Sequence, residues 1–326
     1  MSQHFYHALT AWFPHRDDHN WLLATVIDTK GSAYRRPGAM VLFNDAGGQF
    51  GIVSGGCLES DLLHQARKCW LRQSSATVTY DMREEGDIAW RLGIGCGGEI
   101  TLLLQPVSAS NQYLHLDSVL EELRANRKVN VGLNTDTSVA QTSVNADEAR
   151  IGWHYFTLTP PARLLILGGG TDAQPVAEIA HTLGWHVTVN DPRARHARHQ
   201  DFPSAFCSGE PYHRVEATPW FTQAQVIVVM HHHVELDAKA LGRIASTPPE
   251  QLNYLALLGP SHRAQRVLTR ANLAEGSFSV PLQSPAGLAL GGELPESIAL
   301  SILAHAHSVL HNADAQPLRG KPCHTD

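Results

Sequence analysis

Two cysteines lie in glycine-rich turns, Cys57 after Gly55 and Gly56, and Cys96 before Gly97 and Gly98. A cysteine that only fills a hydrophobic core usually has bulky apolar neighbours. Glycines clear the space around a sulfur atom and let backbone N–H groups approach a ligand. If the two turns meet in the fold, we expect a pocket with a thiol on each side, suited to anions and soft metal centres.

The elements around these turns predict a mixed α+β domain over residues 1–110. Strand-like runs lie at 21–27, 39–43, 50–53, 76–80 and 100–104. Residues 57–71 have the apolar spacing of a helix. Cys57 would begin that helix, where unpaired N–H groups and the helix dipole favour a thiolate.

Two adjacent arginines, Arg35 and Arg36, lie in a glycine-bounded loop between two predicted strands. Guanidinium groups are planar and donate several hydrogen bonds, so this loop could bind a phosphate or a pterin ring. The alternative is a surface loop with solvated arginines. Beside two glycine-flanked cysteines, we favour the binding function.

The second half of the chain has a different sequence pattern, in which predicted strands and helices alternate after residue 160. This alternation predicts a doubly wound Rossmann-like domain with a mostly parallel sheet over residues 161–312. Residues 111–160 are predicted to be a linker with a helix, and residues 313–326 a loose tail. The fold class predicted for the whole chain is α/β.

Gly168 and Gly170 are the two leading glycines of a G-x-G-x-x-A motif between a predicted strand and a predicted helix. Asp191 ends the next strand, where it could bind a ribose 2′-hydroxyl. This pattern favours NAD or another nucleotide as a ligand. The alternative is a Rossmann domain without a dinucleotide, since Asp172 adds negative charge to the first helical turn and Arg193 follows Asp191.

Three successive histidines at 231–233 follow another predicted strand. A zinc or iron site built from them is one interpretation. Neighbouring residues of an extended chain point to opposite faces, which instead favours one site-facing histidine, taken here as His232, with Asp237 as the cap of the next helix. Ser261 follows a further strand and either caps a helix or binds an anion.

Composition and charge argue against several classes of function. The 326 residues carry a net charge of −6 and no basic block, which argues against a nucleic-acid partner. No apolar run approaches the roughly 20 residues of a membrane span. Five cysteines without a CxxC pair favour free thiols in a reducing cytoplasm over disulfides or a structural zinc site. Ser54 lacks a glycine two residues before it, which argues against a serine hydrolase.

Taken together, these segments resemble the XdhC/CoxI family, accessory proteins of molybdenum hydroxylases such as xanthine dehydrogenase. The matching stretches run in the family's order: 31–39, 54–61, 92–106, 164–191, 226–237, 257–266 and 284–303. The family's paired cysteines correspond to Cys57 and Cys96, and its Rossmann glycines to Gly168 and Gly170. Relatives are expected to have a threonine and one or two histidines where this chain has Met230 and three histidines.

The resemblance implies a cytoplasmic protein that binds molybdenum cofactor (molybdopterin), with Cys57 and Cys96 as candidate molybdenum ligands. It would support exchange of an oxo for a sulfido ligand and deliver the cofactor to an apo molybdenum hydroxylase. A cysteine desulfurase is the second implied partner, and we expect a homodimer. Whether the thiols bind molybdenum, relay sulfur or only line the site stays open at this point.

Two alternatives remain beside a cofactor-binding chaperone. One is an NAD-dependent oxidoreductase that uses Gly168, Gly170 and Asp191, with His232 as acid or base. The other is a zinc or iron protein built on the histidine cluster. We favour the chaperone over an enzyme with turnover.

Overall fold

The computed structural model describes residues 4–54, 58–81, 98–136, 140–145 and 150–317. The chain divides into two compact units, Met1–Pro161 and Ala162–Asp326. We call them unit 1 and unit 2.

Unit 1 contains a five-stranded antiparallel sheet in the order β3-β2-β1-β5-β4. Its strands are β1 (Trp21–Lys30), β2 (Met40–Asn44), β3 (Gln49–Gly51), β4 (Ala76–Asp81) and β5 (Glu99–Val107). Two helices accompany it, α1 (Phe5–Trp12) and α2 (Glu59–Arg72).

Strand β1 is buried on both faces, which explains why its sequence is apolar almost throughout. Leu22, Ala24 and Val26 pack in one hydrophobic cluster with α2. Trp21 and Leu23 pack in a second cluster with α1. Because successive strand side chains point to opposite faces, the two helices cover opposite sides of the sheet.

The predicted linker is a folded part of unit 1. Residues 111–160 contain the expected helix, α3 (Leu116–Arg124), and also the strands β6 (Val129–Asn134), β7 (Thr142–Val144) and β8 (Trp153–Leu158). These strands form a small antiparallel sheet in the order β7-β6-β8. Side chains of α3 and β6 are buried in the same cluster as α1, so this segment completes the core instead of joining two domains.

Unit 2 confirms the predicted Rossmann-like domain. Its strands are β9 (Arg163–Leu167), β10 (His186–Asn190), β11 (Phe206–Ser208), β12 (Val226–Val229), β13 (Tyr254–Leu257) and β14 (Leu282–Gln283). All are parallel, in the order β11-β10-β9-β12-β13-β14. This is the doubly wound order, and it reverses between β9 and β12. Ligands of such sheets usually bind at that switch point, at the carboxyl ends of the strands.

Helices cover both faces of the parallel sheet. They are α4 (Ala173–Thr182), α5 (Pro219–Thr222), α6 (Val234–Ser246), α7 (Ser261–Ala271) and α8 (Pro295–Leu310). The first and last pack on one face, and the other three on the opposite face. Among the described residues, no helix has the length and apolarity to cross a membrane.

Candidate functional site

One end of the sheet of unit 1 gathers the connections singled out in the sequence. Because the sheet is antiparallel, neighbouring strands run in opposite directions. The last residues of β1, β3 and β4 and the first residues of β2 and β5 therefore lie at the same end of the sheet. The arginine loop follows β1, the Cys57 turn follows β3, and the Cys96 turn precedes β5. All three connections therefore attach to the same end of the sheet.

Both cysteines and three of their glycines lie outside the described residues: Cys57, Cys96, Gly55, Gly56 and Gly97. What the structure describes is the chain on either side of each turn. Those flanking residues set where each turn begins and ends.

The turn that carries Cys57 is closed by hydrogen bonds between its two flanks. The Leu58 N–H donates to Ser54 Oγ at 3.1 Å. Ser54 donates its own N–H and hydroxyl to the Glu59 carboxylate, at 3.1 and 2.5 Å. Helix α2 begins at Glu59, two residues later than predicted.

Gly98 lets the chain entering β5 lie against the arginine loop. A Cβ at this position would come within 2.1 Å of the Ser32 carbonyl oxygen and 2.8 Å of that of Lys30. The same contact is reinforced by an ion pair between Lys30 Nζ and Glu99 Oε1 at 2.8 Å. Gly98 therefore has a packing function in addition to any contact with a cofactor.

Helix α2 extends over the strand that follows Cys96. The Tyr80 hydroxyl donates to Asp61 Oδ2 at 2.6 Å, which fixes the first turn of α2 over β4. Tyr80 lies directly opposite Ile100 of β5. The start of the helix after Cys57 is thereby held close to the start of the strand after Cys96.

The arginine loop brings two guanidinium groups to this end of the sheet. Arg35 is half-buried and Arg36 exposed, and neither forms an ion pair with the acidic groups of the described segments. Burial, together with the charges of His7 and Arg35, lowers the pKa of His4 to about 4. The backbone N–H of Tyr6 donates to Nδ1 of His4 at 3.2 Å.

The glycine turn of unit 2 lies at the switch point of the sheet. Gly168 has φ +120°, and a Cβ there would come within 2.6 Å of the backbone of Met230 and His231. A Cβ at Gly169 would come within 2.2 Å of Ala197 N, whereas one at Gly170 would meet no atom within 4 Å. The first two glycines are therefore required by the protein's own packing, and Gly170 leaves space in front of α4.

The carboxylate of Asp191, the predicted ribose ligand, already accepts hydrogen bonds from other groups of the protein. Its Oδ1 accepts from the backbone N–H and Nε of Arg193 at 3.0 and 2.9 Å. Its Oδ2 accepts from the Gly169 N–H at 2.9 Å and from Arg193 Nη2 at 2.6 Å. Burial alone would raise the pKa of Asp191, but the hydrogen bonds from Arg193 and Gly169 outweigh it and lower the pKa. The carboxylate has about four acceptor positions, and all are in use.

A buried polar network that the sequence analysis missed lies beside this turn. The ring nitrogen Nδ1 of His231 is hydrogen bonded to Asp237 Oδ1 at 2.8 Å. The backbone N–H of His231 donates to the same oxygen at 3.2 Å. The other Asp237 oxygen accepts from Arg263, which also donates to the Leu258 carbonyl at 2.9 Å. Burial alone would raise the pKa of Asp237, but hydrogen bonds from His231 and Arg263 outweigh it and lower the pKa.

Tyr212 extends the network on the other side of His231. Its hydroxyl is hydrogen bonded to His231 Nε2. Burial raises the pKa of Tyr212, and the negative charges of Asp191 and Asp237 raise it further. Tyr212 is therefore a neutral phenol. Because a carboxylate can only accept, a neutral imidazole here donates from Nδ1 to Asp237 and accepts from Tyr212.

The three histidines at 231–233 differ in burial and in hydrogen bonding. His231 is the buried member, whereas His232 is exposed, with φ +55°, and is hydrogen bonded to Asp172 Oδ2 at 3.0 Å. Asp237 is the fourth residue of α6 and not its cap, since its carboxylate turns back to His231. Within the described ranges, no group of three His, Cys, Asp or Glu side chains is arranged to hold a metal ion.

Ser261 is the first residue of α7, and the cap position belongs to Pro260, so the predicted side-chain cap does not form.

The sequence signal that could have identified the buried network is the position of its residues relative to the strands. Tyr212, His231 and Arg263 each lie shortly after a strand, and a parallel sheet places the carboxyl ends of all its strands on the same side.

Comparisons with known proteins cover both units. Residues 164–306 match the model described as the XdhC Rossmann domain, and residues 15–81 match the model described as the XdhC and CoxI family. A Bacillus subtilis protein, named as a probable subunit of xanthine dehydrogenase, is 27% identical over 315 residues, covering 88% of this chain and 92% of its own. The Escherichia coli "Molybdenum cofactor insertion chaperone PaoD" is 24% identical over 302 residues, covering 90% of this chain and 85% of its own.

A solved structure also resembles the whole chain. A Bacillus halodurans protein described as a xanthine dehydrogenase superposes with a TM-score of 0.80 at 28% identity, covering 99% of this chain and 98% of its own. The similarity therefore extends to the order of elements in both units.

Proposed function

The chain belongs to the XdhC and CoxI family, and on that premise we propose that it is an accessory protein that binds molybdenum cofactor for a molybdenum hydroxylase such as xanthine dehydrogenase. The names of two relatives support this proposal, one a probable subunit of xanthine dehydrogenase and the other a chaperone for molybdenum cofactor insertion. The protein would hold the cofactor, support its sulfuration and deliver it.

One feature of unit 1 carries the proposal: both thiol turns and the arginine loop attach to the same end of the sheet. Cys57 precedes Asp61 by four residues, which limits the distance between their Cα atoms to about 14 Å. Cys96 precedes Glu99 by three residues, which gives a limit of about 11 Å. Since Asp61 is anchored to Tyr80, which lies opposite Ile100 of β5, these limits support the proposal that both thiols lie near the same end of the sheet.

The residue types at this end of the sheet suit the cofactor. Its molybdenum is held by soft dithiolene sulfurs, and cysteine thiolates are soft ligands that match such a centre. Its pterin carries a phosphate, which guanidinium groups bind through charge-assisted hydrogen bonds. Arg35 and Arg36 have no acidic partner in the described part of the chain, so they would be available for that phosphate.

A pair of thiols would also provide the electrons that sulfuration requires. We propose that a cysteine desulfurase leaves a persulfide on one of the two cysteines. Attack by the other thiolate on the inner sulfur then forms a Cys57–Cys96 disulfide and releases hydrogen sulfide. Hydrogen sulfide exchanges with the oxo ligand of molybdenum to give a sulfido ligand and water. Two equivalents of a cellular thiol reduce this disulfide, are themselves oxidised to a disulfide and restore the pair.

The partners of this cycle are the desulfurase that supplies sulfur and the apo-hydroxylase that receives the cofactor. We propose a homodimer that works in the cytoplasm, where free thiols persist. Gly170 leaves space before α4, which would admit an anionic part of the cofactor or another nucleotide at the switch point.

The two alternative functions have less support. An NAD-dependent oxidoreductase would use Asp191 to bind ribose, but Arg193 and Gly169 occupy its carboxylate. A zinc or iron site at residues 231–233 would need converging ligands, whereas His231 is bound within the buried network and His232 is bonded to Asp172.

The decisive experiment measures the molybdenum and pterin that copurify with the protein from cells able to make the cofactor. We expect near-equal amounts of molybdenum and pterin in the natural protein. Replacing both cysteines (Cys57→Ser with Cys96→Ser) is expected to reduce both by about tenfold or more, since two ligands to a soft centre are lost.

The matched control is Cys69→Ser with Cys207→Ser, which removes two free thiols that belong to α2 and β11 and not to the two glycine-rich turns. The control should retain the cofactor, and melting curves should show that all variants fold. Equal retention in the Cys57/Cys96 double variant would contradict the thiol function. Absence of pterin from the folded natural protein would contradict the proposed function itself.

A further inference from the structure

Unit 2 contains a cleft of about 610 Å³ between helix α6 and the segments that follow β10 and β11. Small-molecule sites usually have about 300–1,000 Å³, so this cleft is large enough for an organic ligand. Pro192 and Pro211 form one wall, and Leu236 of α6 contributes to the other. Proline rings have a fixed backbone angle and no N–H donor, so they provide a rigid apolar surface.

Gly242 lies inside α6, where glycine is a poor helix former. A Cβ at this position would meet no atom within 4 Å, so no packing in the described structure requires a glycine. The missing side chain instead leaves its volume to the cleft, which Gly242 lines. The absence of a side chain at Gly242 therefore widens the cleft at a cost in helix propensity.

The basic side chains that line the cleft are His213, Lys239 and Arg243. Arg243 is already paired with Glu216. Lys239 is exposed and has no ion pair among the described side chains, so its charge is available at the rim. Since the lining includes no carboxylate, the cleft favours a negatively charged ligand.

The cleft is separate from the glycine turn, because residues 168–173 do not line it. It borders the buried network, since Tyr212 lines the cleft and is hydrogen bonded to His231. An occupant would therefore contact the side chain that holds His231 in place.

We propose that this cleft is a binding site for a small organic anion with an apolar body. The prolines and Leu236 cover the apolar part, Lys239 pairs with the anionic group, and Gly242 provides the room. The inference does not depend on the molybdenum-cofactor function proposed above, because none of its residues belongs to the thiol or arginine loops.

Anilinonaphthalenesulfonate, which joins an apolar body to one sulfonate, is a suitable probe because its fluorescence rises when it leaves water. We expect saturable binding of one equivalent to the full chain. Gly242→Leu should weaken binding by about tenfold or more while the protein melts at the same or a higher temperature, because leucine fills the cleft and favours the helix. Gly242→Ala, which adds one methyl group, should weaken it far less.

The charge is tested with Lys239→Gln, for which Lys68→Gln is the matched control at an exposed position of α2 in unit 1. Lys239→Gln should weaken sulfonate binding by about fivefold to tenfold, and Lys68→Gln should leave it unchanged. Binding of the uncharged phenylnaphthylamine should be the same in both variants. Unchanged binding to folded Gly242→Leu would overturn the site. Equal loss of the charged and uncharged probes in Lys239→Gln would overturn the preference for an anion.

Discussion

Gly168→Ala should destabilise unit 2 strongly, although it adds a single methyl group. The new Cβ would lie 2.6 Å from the backbone of Met230 and His231. An ordinary contact begins at 3.4 Å, so the ends of β9 and β12 must separate by 3.4 − 2.6 = 0.8 Å. Overpacking of this kind costs about 1–3 kcal/mol. The positive φ of +120° adds strain of about 1–3 kcal/mol in a residue other than glycine.

We therefore expect the free energy of unfolding to fall by about 2–6 kcal/mol, the sum of these two costs. Gly170→Ala is the matched control two residues away, where a Cβ meets no atom within 4 Å. It should change stability by less than about 1 kcal/mol, since it mainly stiffens the unfolded chain. Urea unfolding measures the loss, and hydrogen exchange in β9 and β12 shows that it arises at the switch point. A Gly168→Ala protein as stable as Gly170→Ala would refute this reasoning.

Three further changes test other parts of the structure. Asp237→Asn should lower the free energy of unfolding by about 3–5 kcal/mol, because it leaves Arg263 without its buried partner. The folded-state pKa of His4 is lowered to about 4, so its contribution to stability is present above the unfolded pKa of about 6.5 and is lost as pH falls through 4. His4→Asn, which keeps a helix-capping acceptor, should remove up to about 3 kcal/mol of that acid sensitivity, measured by urea unfolding between pH 7 and 4. Arg36→Gln should reduce copurified cofactor by about tenfold, and Arg67→Gln on α2 should not.

Each of these has a result that would contradict it. Asp237→Asn that costs less than about 1 kcal/mol would mean that the buried network is not an important source of stability. A stability difference between His4→Asn and the natural protein that does not vary with pH would exclude the His4 titration. Equal cofactor content in the Arg36 and Arg67 variants would remove the arginine loop from the cofactor site.

The Rossmann-like unit could be predicted because local signals agree there. The glycine motif, the apolar strands and the alternating helices all indicate the same order, and α8 begins at Pro295, a residue type favoured at the first helical position. The sheet of residues 129–158 was missed because β6 alternates buried residues such as Val129 and Val131 with polar Asn130, inside a stretch rich in Thr, Ser and Asn. Its apolar face becomes evident only when it packs against α1 and α3.

The site was harder to predict than the fold, because burial decides which polar groups are free. Asp191 has the position of a ribose ligand, yet Arg193 two residues later occupies it. His231 and Arg263 are 32 residues apart in sequence, and only Asp237 between them shows that they form one network. The sequence alone could suggest that one histidine faces the sheet edge, but which one depends on the backbone turn at His232.

The most direct test of the central proposal is whether Cys57 and Cys96 share one cofactor pocket. The protein would carry serine at its other three cysteines, Cys69, Cys207 and Cys323, and would be treated with a short bis-maleimide crosslinker. We expect a link between the two cysteines of one chain in cofactor-free protein, and protection of both when the cofactor is bound. Thiols that each react with a single maleimide but never become linked, or that link equally well with cofactor present, would contradict the proposal.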